Sequence, residues 1–182
     1  PNAILCRTNS ECTASYFSLS EESSHGATAS GLIEAQTFIS NIKSLSQGGL
    51  SFGEYSLFKN KNELRNYAYS EQGRDLFLYM DLVEKHGCDF LLRKIERSKE
   101  SQTSGATGLV ITTAHRAKGL EFDRVSVQGS FVDCDDKQVD GFEQESNLLY
   151  VAVTRARIAL EEKISINERR VKHDESNLSI SS

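Results

Sequence analysis

No window of the sequence approaches about 18 consecutive uncharged apolar residues, which excludes an ordinary transmembrane helix. No basic amino-terminal stretch precedes an apolar run, so the chain shows no secretory signal peptide. Cysteine is sparse: Cys6, Cys12, Cys88 and Cys134 form no C-x-x-C pair, and no histidine stands at a zinc-like spacing from them. Reduced structural thiols in an intracellular protein are the expectation, in the cytoplasm or nucleoid, or the nucleus of a eukaryote. Methionine occurs once, as Met80, and the chain opens on Pro1, so it reads as a fragment or a processed product. No internal repeat is present. No G-x-x-x-x-G-K-[ST] string occurs either, so the chain has no P-loop to cradle β- and γ-phosphates. Lys118-Gly119 has the wrong order and context for one.

What remains is an ordinary globular composition, 38% hydrophobic and 26% charged over 182 residues. That length suits one α/β domain, or a domain with a small subdomain, and suffices to bury a real core. The formal net charge is −5, which by itself does not suggest a nucleic-acid binder. Its distribution is uneven. Residues 131–145 hold six acids (Asp133, Asp135, Asp136, Asp140, Glu143, Glu145) against Lys137 and account for the whole excess. The flanking segments, 112–124 and 150–157, are basic, so a local phosphate-binding face is compatible with the balance.

Along the chain, residues 2–6 read as a short buried strand with a polar exit, Arg7 to Ser10. Residues 18–30, rich in Ser, Glu, Gly and Ala, read as loop. Leu32, Ile33, Phe38, Ile39, Ile42 and Leu45 recur at helical spacing, and Gly48-Gly49 ends that helix. Residues 51–69 are mixed and carry Tyr55, Phe58, Tyr67 and Tyr69, which pack in a core or stack on bases. Residues 75–85 and 89–99 read as two amphipathic helices broken at Gly87. After a polar linker at 98–108, residues 109–113 read as a strand, 114–120 as a tight helical turn and 124–128 as a second strand. Residues 145–156 read as a helix, and the charged, Ser-rich tail after Asn167 as flexible. Strands alternating with helices imply a parallel α/β sheet with a helical insertion in the middle.

Two strings carry chemistry. In Thr112-Thr113-Ala114-His115-Arg116-Ala117-Lys118-Gly119-Leu120-Glu121-Phe122-Asp123, a Thr-rich strand runs into a Lys-Gly turn and an acid. Such a turn exposes backbone N–H groups, and Gly119 permits a positive φ, which suits phosphate oxygens of a nucleotide or of DNA. Glu121 is placed to accept hydrogen bonds from ribose hydroxyls. A plain strand–turn–strand with solvated Lys and Glu fits the same residues. In Tyr150-Val151-Ala152-Val153-Thr154-Arg155-Ala156-Arg157, an arginine ends a buried helix. A guanidinium aimed at a neighbouring domain stabilises charge on a transferred phosphoryl group, as an arginine finger does. A cationic helix terminus held by the macrodipole fits equally.

Together and in this order, the two strings resemble motifs V and VI of superfamily 1A DNA helicases of the UvrD/Rep/PcrA type, T-x-H-x-x-K-G-L-E-[FW] and Y-V-x-x-T-R-A. Cys6-Arg7-Thr8-Asn9 is similar to the strand end between motifs IV and V, motif IVa. Gly48-Gly49-Leu50-Ser51-Phe52 is similar to the G-G-x-x-F turn that follows it. The resemblance spans roughly residues 3–159. Its strings look closest to the F-box DNA helicase branch and its bacterial relatives.

The resemblance implies a RecA-like fold, the second (2A) motor domain, with no P-loop of its own. Residues 1–20 and 105–166 would form that domain, 21–104 a helical insertion in place of the family's 2B arm, and 167–182 a flexible tail. Residues 10–108 are too few for a full arm. By match to the family's motifs, Arg155 is the finger that reaches the γ-phosphate, Glu121 lies near the nucleotide sugar, and Gly119 lies beside the triphosphate. Arg7, Thr8, Asn9, Thr113 and His115 match positions that touch single-stranded DNA. The implied ligands are ATP and Mg²⁺, the metal held mainly by a separate N-terminal RecA-like motor domain, with no membrane partner. The implied function is the C-terminal half of an ATP-dependent helicase translocating 3′-to-5′ on single-stranded DNA and unable to hydrolyse ATP alone. The alternative is a catalytically inactive helicase-like module that binds DNA or a protein. The motif IV arginine would lie upstream of Pro1. Asp135-Asp136 follows Cys134 in an acidic loop, not a clean apolar strand, and so makes a poor Walker B pair. Residues 158–164 look more helix-like than the strand that the family places there. His25, His86 and His173 have no assigned partners.

Overall fold

A computed structural model describes residues 2–20, 24, 26–103, 108–131 and 142–164. Five strands form one all-parallel sheet, flanked by helices on both faces. The strands are β1 (Asn2–Cys6), β2 (Thr28–Ala29), β3 (Leu109–Thr113), β4 (Phe122–Gly129) and β5 (Ala156–Ile164), in spatial order β2-β3-β1-β4-β5. The helices are α1 (Asn9–Ser18), α2 (Leu32–Ser46), α3 (Lys61–Ala68), α4 (Phe77–His86), α5 (Cys88–Thr103) and α6 (Phe142–Val153), with short 3-10 turns at Gly53–Leu57 and Arg74–Leu76.

Strand β1 sits at the centre because both its faces are apolar. Its alternate residues feed two separate cores, as the period-two geometry of a strand requires. Ile4 and Cys6 join Ile111 and the buried stripes of α1, α2, α4 and α5. Ala3 and Leu5 join Val125, Val127 and Phe131 under Leu148 and Ala152 of α6. Segment 21–104 therefore supplies both a sheet strand, β2, and most of the helical layer on one face.

Helix α2 buries Leu32, Ala35, Phe38, Ile39, Ile42 and Leu45, a continuous stripe at helical period. Ile33 lies off that stripe and is 73% exposed, contrary to its expected place in it. The two amphipathic helices around Gly87 form as expected, with Gly87 at φ +76° between them. In α5, Leu91, Lys94, Ile95 and Ser98 share the buried face. Lys94 is tolerated there because its ammonium caps α1: Nζ donates to the Leu19 carbonyl at 2.7 Å and the Phe17 carbonyl at 3.4 Å. It also lies 5.5 Å from the centroid of the Tyr16 ring, and the Tyr16 hydroxyl donates to the Lys94 carbonyl.

Three sequence expectations need correction. Residues 158–164 are strand, not helix: β5 pairs with β4 from Phe122↔Ala156 to Gly129↔Ile164. Sheet pairing outweighs the helix-favouring Glu-Glu-Lys composition, and an edge strand tolerates exposed Ile158 and Leu160 and its charges. Residues 98–103, expected as the start of a linker, continue α5. Residues 18–30 are not all loop, since Thr28–Ala29 pairs with β3. The sequence reading also passed over α1. Cys134, His25, His173, Asp135-Asp136 and the tail lie outside the described residues, as does most of the acidic loop. Cys6, Cys12 and Cys88 are free thiols, the first two fully buried. The Cys12 thiol hydrogen-bonds to Cys6, which lowers the Cys6 pKa and raises that of Cys12.

One carboxylate ties the layers together. Thr8 and Glu11 form a capping box at the start of α1: Thr8 Oγ1 accepts from Glu11 N and Glu11 Oε2 from Thr8 N. The same Oε2 accepts from Arg7 N at 3.0 Å. Oε1 accepts from both the backbone N–H and the hydroxyl of Ser130, at 3.0 and 2.6 Å. Gly129 makes room for it, since a Cβ there would sit 2.5 Å from Oε2 and φ is +111°. Glu11→Ala strands donors at both strand ends and should cost about 2–4 kcal/mol. Chemical denaturation of the purified chain reads this, and an unchanged midpoint would remove Glu11 from that role.

Candidate functional site

The residues singled out in the sequence fall into two clusters at opposite edges of the sheet. Arg7, Thr8 and Asn9 follow the carboxyl end of β1, and Thr113 and His115 stand at the carboxyl end of the adjacent β3. Cys6 and Thr113 are paired in register, so the two strand exits lie side by side. Gly119 and Glu121 precede β4 and Arg155 precedes β5, at the amino ends. Phe122 lies two residues before Arg124, which is level with Asn2. From the Phe122 level to the Cys6 level is thus six residues, roughly 20 Å at a strand's rise per residue.

Residues 114–121 connect the two edges, leading from the end of β3 to the start of β4. Ala114 and Ala117 are fully buried in the core beneath α6, and their small side chains let the backbone pass close to the sheet. Ala114 N donates to the Cys6 carbonyl at 2.9 Å, Ala117 N to Thr113 O at 3.0 Å and Leu120 N to Ala117 O at 3.0 Å. His115, Arg116, Lys118, Gly119 and Glu121 all face solvent.

At the carboxyl edge, the side chains differ in availability. His115 is exposed, whereas Thr113 is only 7% exposed and its hydroxyl accepts from Arg116 N. Thr8 spends its hydroxyl on the cap and on Ser10. Asn9 is half-buried, and its Nδ2 makes a long 3.4 Å contact with Glu34, while Oδ1 has no hydrogen-bond partner among the described residues. Two further residues belong here that sequence reasoning missed, Ser30 and Arg116. Ser30 N donates to Ile111 O at 2.9 Å, continuing the β2–β3 pairing. Arg116 was visible inside the motif string, but Ser30 had no local signal.

At the amino edge, Arg155 folds back on its own helix. Its Nε donates to Val151 O at 2.9 Å, Nη1 to Leu120 O at 3.3 Å and Nη2 to Thr154 Oγ1 at 3.0 Å. All three acceptors are neutral. Three of the guanidinium's five N–H groups are thereby used. The Arg155 carbonyl accepts from Phe122 N at 3.0 Å, which locks the turn to the helix exit. Gly119, Glu121 and Arg155 are therefore neighbours. Glu121 meets Arg157 at 3.9 Å, with both side chains more than 60% exposed, a weak and solvent-screened pair.

Gly119 has φ +83° and open space where a Cβ would stand, two Arg155 N–H groups remain unspent, and Glu121 presents acceptors beside them. No cluster of three or more His, Cys, Asp or Glu side chains able to hold a metal ion occurs among the described residues. No helix among them is long and apolar enough to cross a membrane. Of the four aromatics noted in the sequence, Tyr55 is buried against Phe38, Phe58 packs on Tyr67, and Tyr69 meets Phe77 edge-on beneath the Arg65 guanidinium. His86 stacks on Phe90.

A five-stranded parallel sheet flanked by helices is consistent with a RecA-like helicase C-terminal domain. Comparison with known families agrees: the UvrD-like helicase C-terminal domain matches residues 27–168, and the chain belongs to that family. Residues 7–9 lie ahead of the matched span. The chain is 41% identical to F-box DNA helicase 1 of Gallus gallus over 110 residues, which cover 53% of this chain and 11% of that protein. It is 29% identical to F-box DNA helicase protein 1 of Schizosaccharomyces pombe over 118 residues, 59% of this chain and 13% of the relative. The chain thus spans roughly a tenth of the length of these curated relatives.

Gly119→Ala tests the turn directly. Nothing crowds the position, so the expected loss of about 1 kcal/mol comes from the left-handed backbone alone. A melting temperature equal to that of the parent chain would show that the turn does not need a positive φ.

Proposed function

We propose that this chain is the C-terminal half of an ATP-dependent DNA helicase motor that translocates 3′-to-5′ on single-stranded DNA. The observation that supports the reading is the hydrogen bond from Arg155 Nη1 to the Leu120 carbonyl, which joins the guanidinium to the 119–121 turn. ATP, when bound between this domain and an N-terminal RecA-like partner, supplies the free energy for closure, with Mg²⁺ held mainly by that partner.

This chain's own groups act by position. Arg155 turns its unspent N–H groups toward the γ-phosphate and neutralises charge there, as an arginine finger does. Glu121 accepts from the sugar hydroxyls, and the Gly119 backbone approaches the triphosphate. The opposite edge, with Arg7, Thr8, Asn9, Thr113 and His115, holds the single strand. Residues 21–104 stand where the family inserts its arm domain, but they also supply β2 and most of one helical layer of this domain. The ligand that favours the closed arrangement shifts the pair of domains toward it, and its loss releases them. His115 of the strand set and Gly119 and Glu121 of the nucleotide set lie on one connected segment, 114–121, which links the two edges. A binding module without turnover is the second reading.

Two experiments separate these readings. In the motor assembled with its N-terminal half, Arg155→Ala should lower ATP hydrolysis on the order of a thousand-fold or more while single-strand binding stays near the parent value. Hydrolysis at the parent rate would remove Arg155 from the finger role. His115→Ala should weaken binding of a labelled single-stranded oligonucleotide several-fold. An affinity and salt dependence identical to those of the parent protein would take His115 off the DNA path.

A further inference from the structure

We infer that Arg116, aimed by Ser30, is a backbone-phosphate anchor for the single strand at the carboxyl edge of the sheet. The inference rests on the DNA-binding reading of that edge and adds two residues to it. The observation is a chain of hydroxyls that ends on the guanidinium. Thr112 Oγ1 and Ser30 Oγ lie 3.0 Å apart, and Arg116 Nη1 donates to Ser30 Oγ at 3.3 Å. Thr112 is buried in β3, so the chain is rooted in the sheet.

The position of Ser30 is fixed on three sides. Its N–H donates to Ile111 O. Gly31, next in the chain, lies so close to the Asn9 carbonyl that a Cβ would overlap it, and its φ is +86°. Gly31 is also the N-cap of α2. The turn that delivers Ser30 to Arg116 therefore also packs against the residue that follows β1. Asn9, Ser30, His115 and Arg116 make one shelf across three adjacent strand exits.

Charge decides what the shelf takes. Among the described residues the Arg116 guanidinium meets only a neutral hydroxyl, and no carboxylate neutralises it. Its other donors face solvent beside exposed His115. A guanidinium held by a neutral group keeps its full charge for a ligand, and its planar fork suits two phosphate oxygens at once. Contacts of this kind position a strand without reading its sequence.

The test is binding of fluorescein-labelled oligothymidylate to the full-length protein, by anisotropy, across a salt series. Loss of one phosphate contact should lower the slope of log affinity against log salt by about 0.7, which is about five-fold weaker binding than the parent at 0.1 M when the two are matched at about 1 M. Arg116→Ala should show that loss on oligothymidylate and oligoadenylate alike. Arg116→Lys should restore the slope, so the reading survives even if the alanine variant folds poorly. Ser30→Ala should keep the parent slope but bind more weakly, because the charge stays and its aim is lost. A parent slope in Arg116→Ala overturns the anchor, and parent affinity in Ser30→Ala overturns the aiming. If the parent protein itself binds no oligonucleotide in a salt-dependent way, the DNA reading of the whole edge fails. If His115→Ala weakens binding but Arg116→Ala does not, only this inference falls.

Discussion

The Glu11 carboxylate is the constraint on which the arrangement of this domain depends. It accepts from the backbone of Arg7 and Thr8 at the exit of β1, and from Ser130 at the exit of β4. A buried or half-buried carboxylate holds its place only when its lone pairs are satisfied. Here that requirement is met by main-chain groups from two strand ends, so the carboxylate sets their separation. The consequence reaches the site, because Arg7, Thr8 and Asn9 are the residues that the cap positions. Gly129 is the complement of this acid, since the space it leaves is where the carboxylate sits.

A second dependence follows from sheet order. β1 lies between β3 and β4, so the chain must cross it to pass from one motif string to the strand beyond. It does so in eight residues, pinned by two buried alanines. The short crossing is why one contiguous string bears groups on both edges. It is also why Arg155, far along the chain, meets this string only at its lower end, through the Leu120 carbonyl and the Phe122 amide.

Much of this was legible in the sequence. The parallel α/β class, the α2 stripe and the pair of helices about Gly87 follow from periodicity and punctuation, and the family follows from motif order. The grouping of Gly119, Glu121 and Arg155 was an expectation from resemblance; the fold joins Arg155 to Leu120 and Phe122. What the sequence hid was long-range pairing. β2 is two residues in a Ser-rich stretch, and only its partner in β3 makes it a strand. β5 carries a helix-like composition that pairing with β4 overrides. Helix α1 has a scattered apolar face, and its one clear local sign was the Thr8-x-x-Glu11 box. Ser30 belongs to the shelf through contacts 82 and 86 residues away, beyond any local pattern.

Lys94 carries a mechanical consequence. Its ammonium is sunk among aromatic rings and grips the last carbonyls of α1. For α5 to slide along α1, that charge would have to leave its acceptors inside an apolar layer, at a penalty of several kcal/mol for an unpaired ion. Lys94 thereby tethers α5 to the last turn of α1. Because the first turn of α1 is the exit of β1, the helix that Lys94 holds at one end is the helix that begins beside Arg7 and Asn9 at the other.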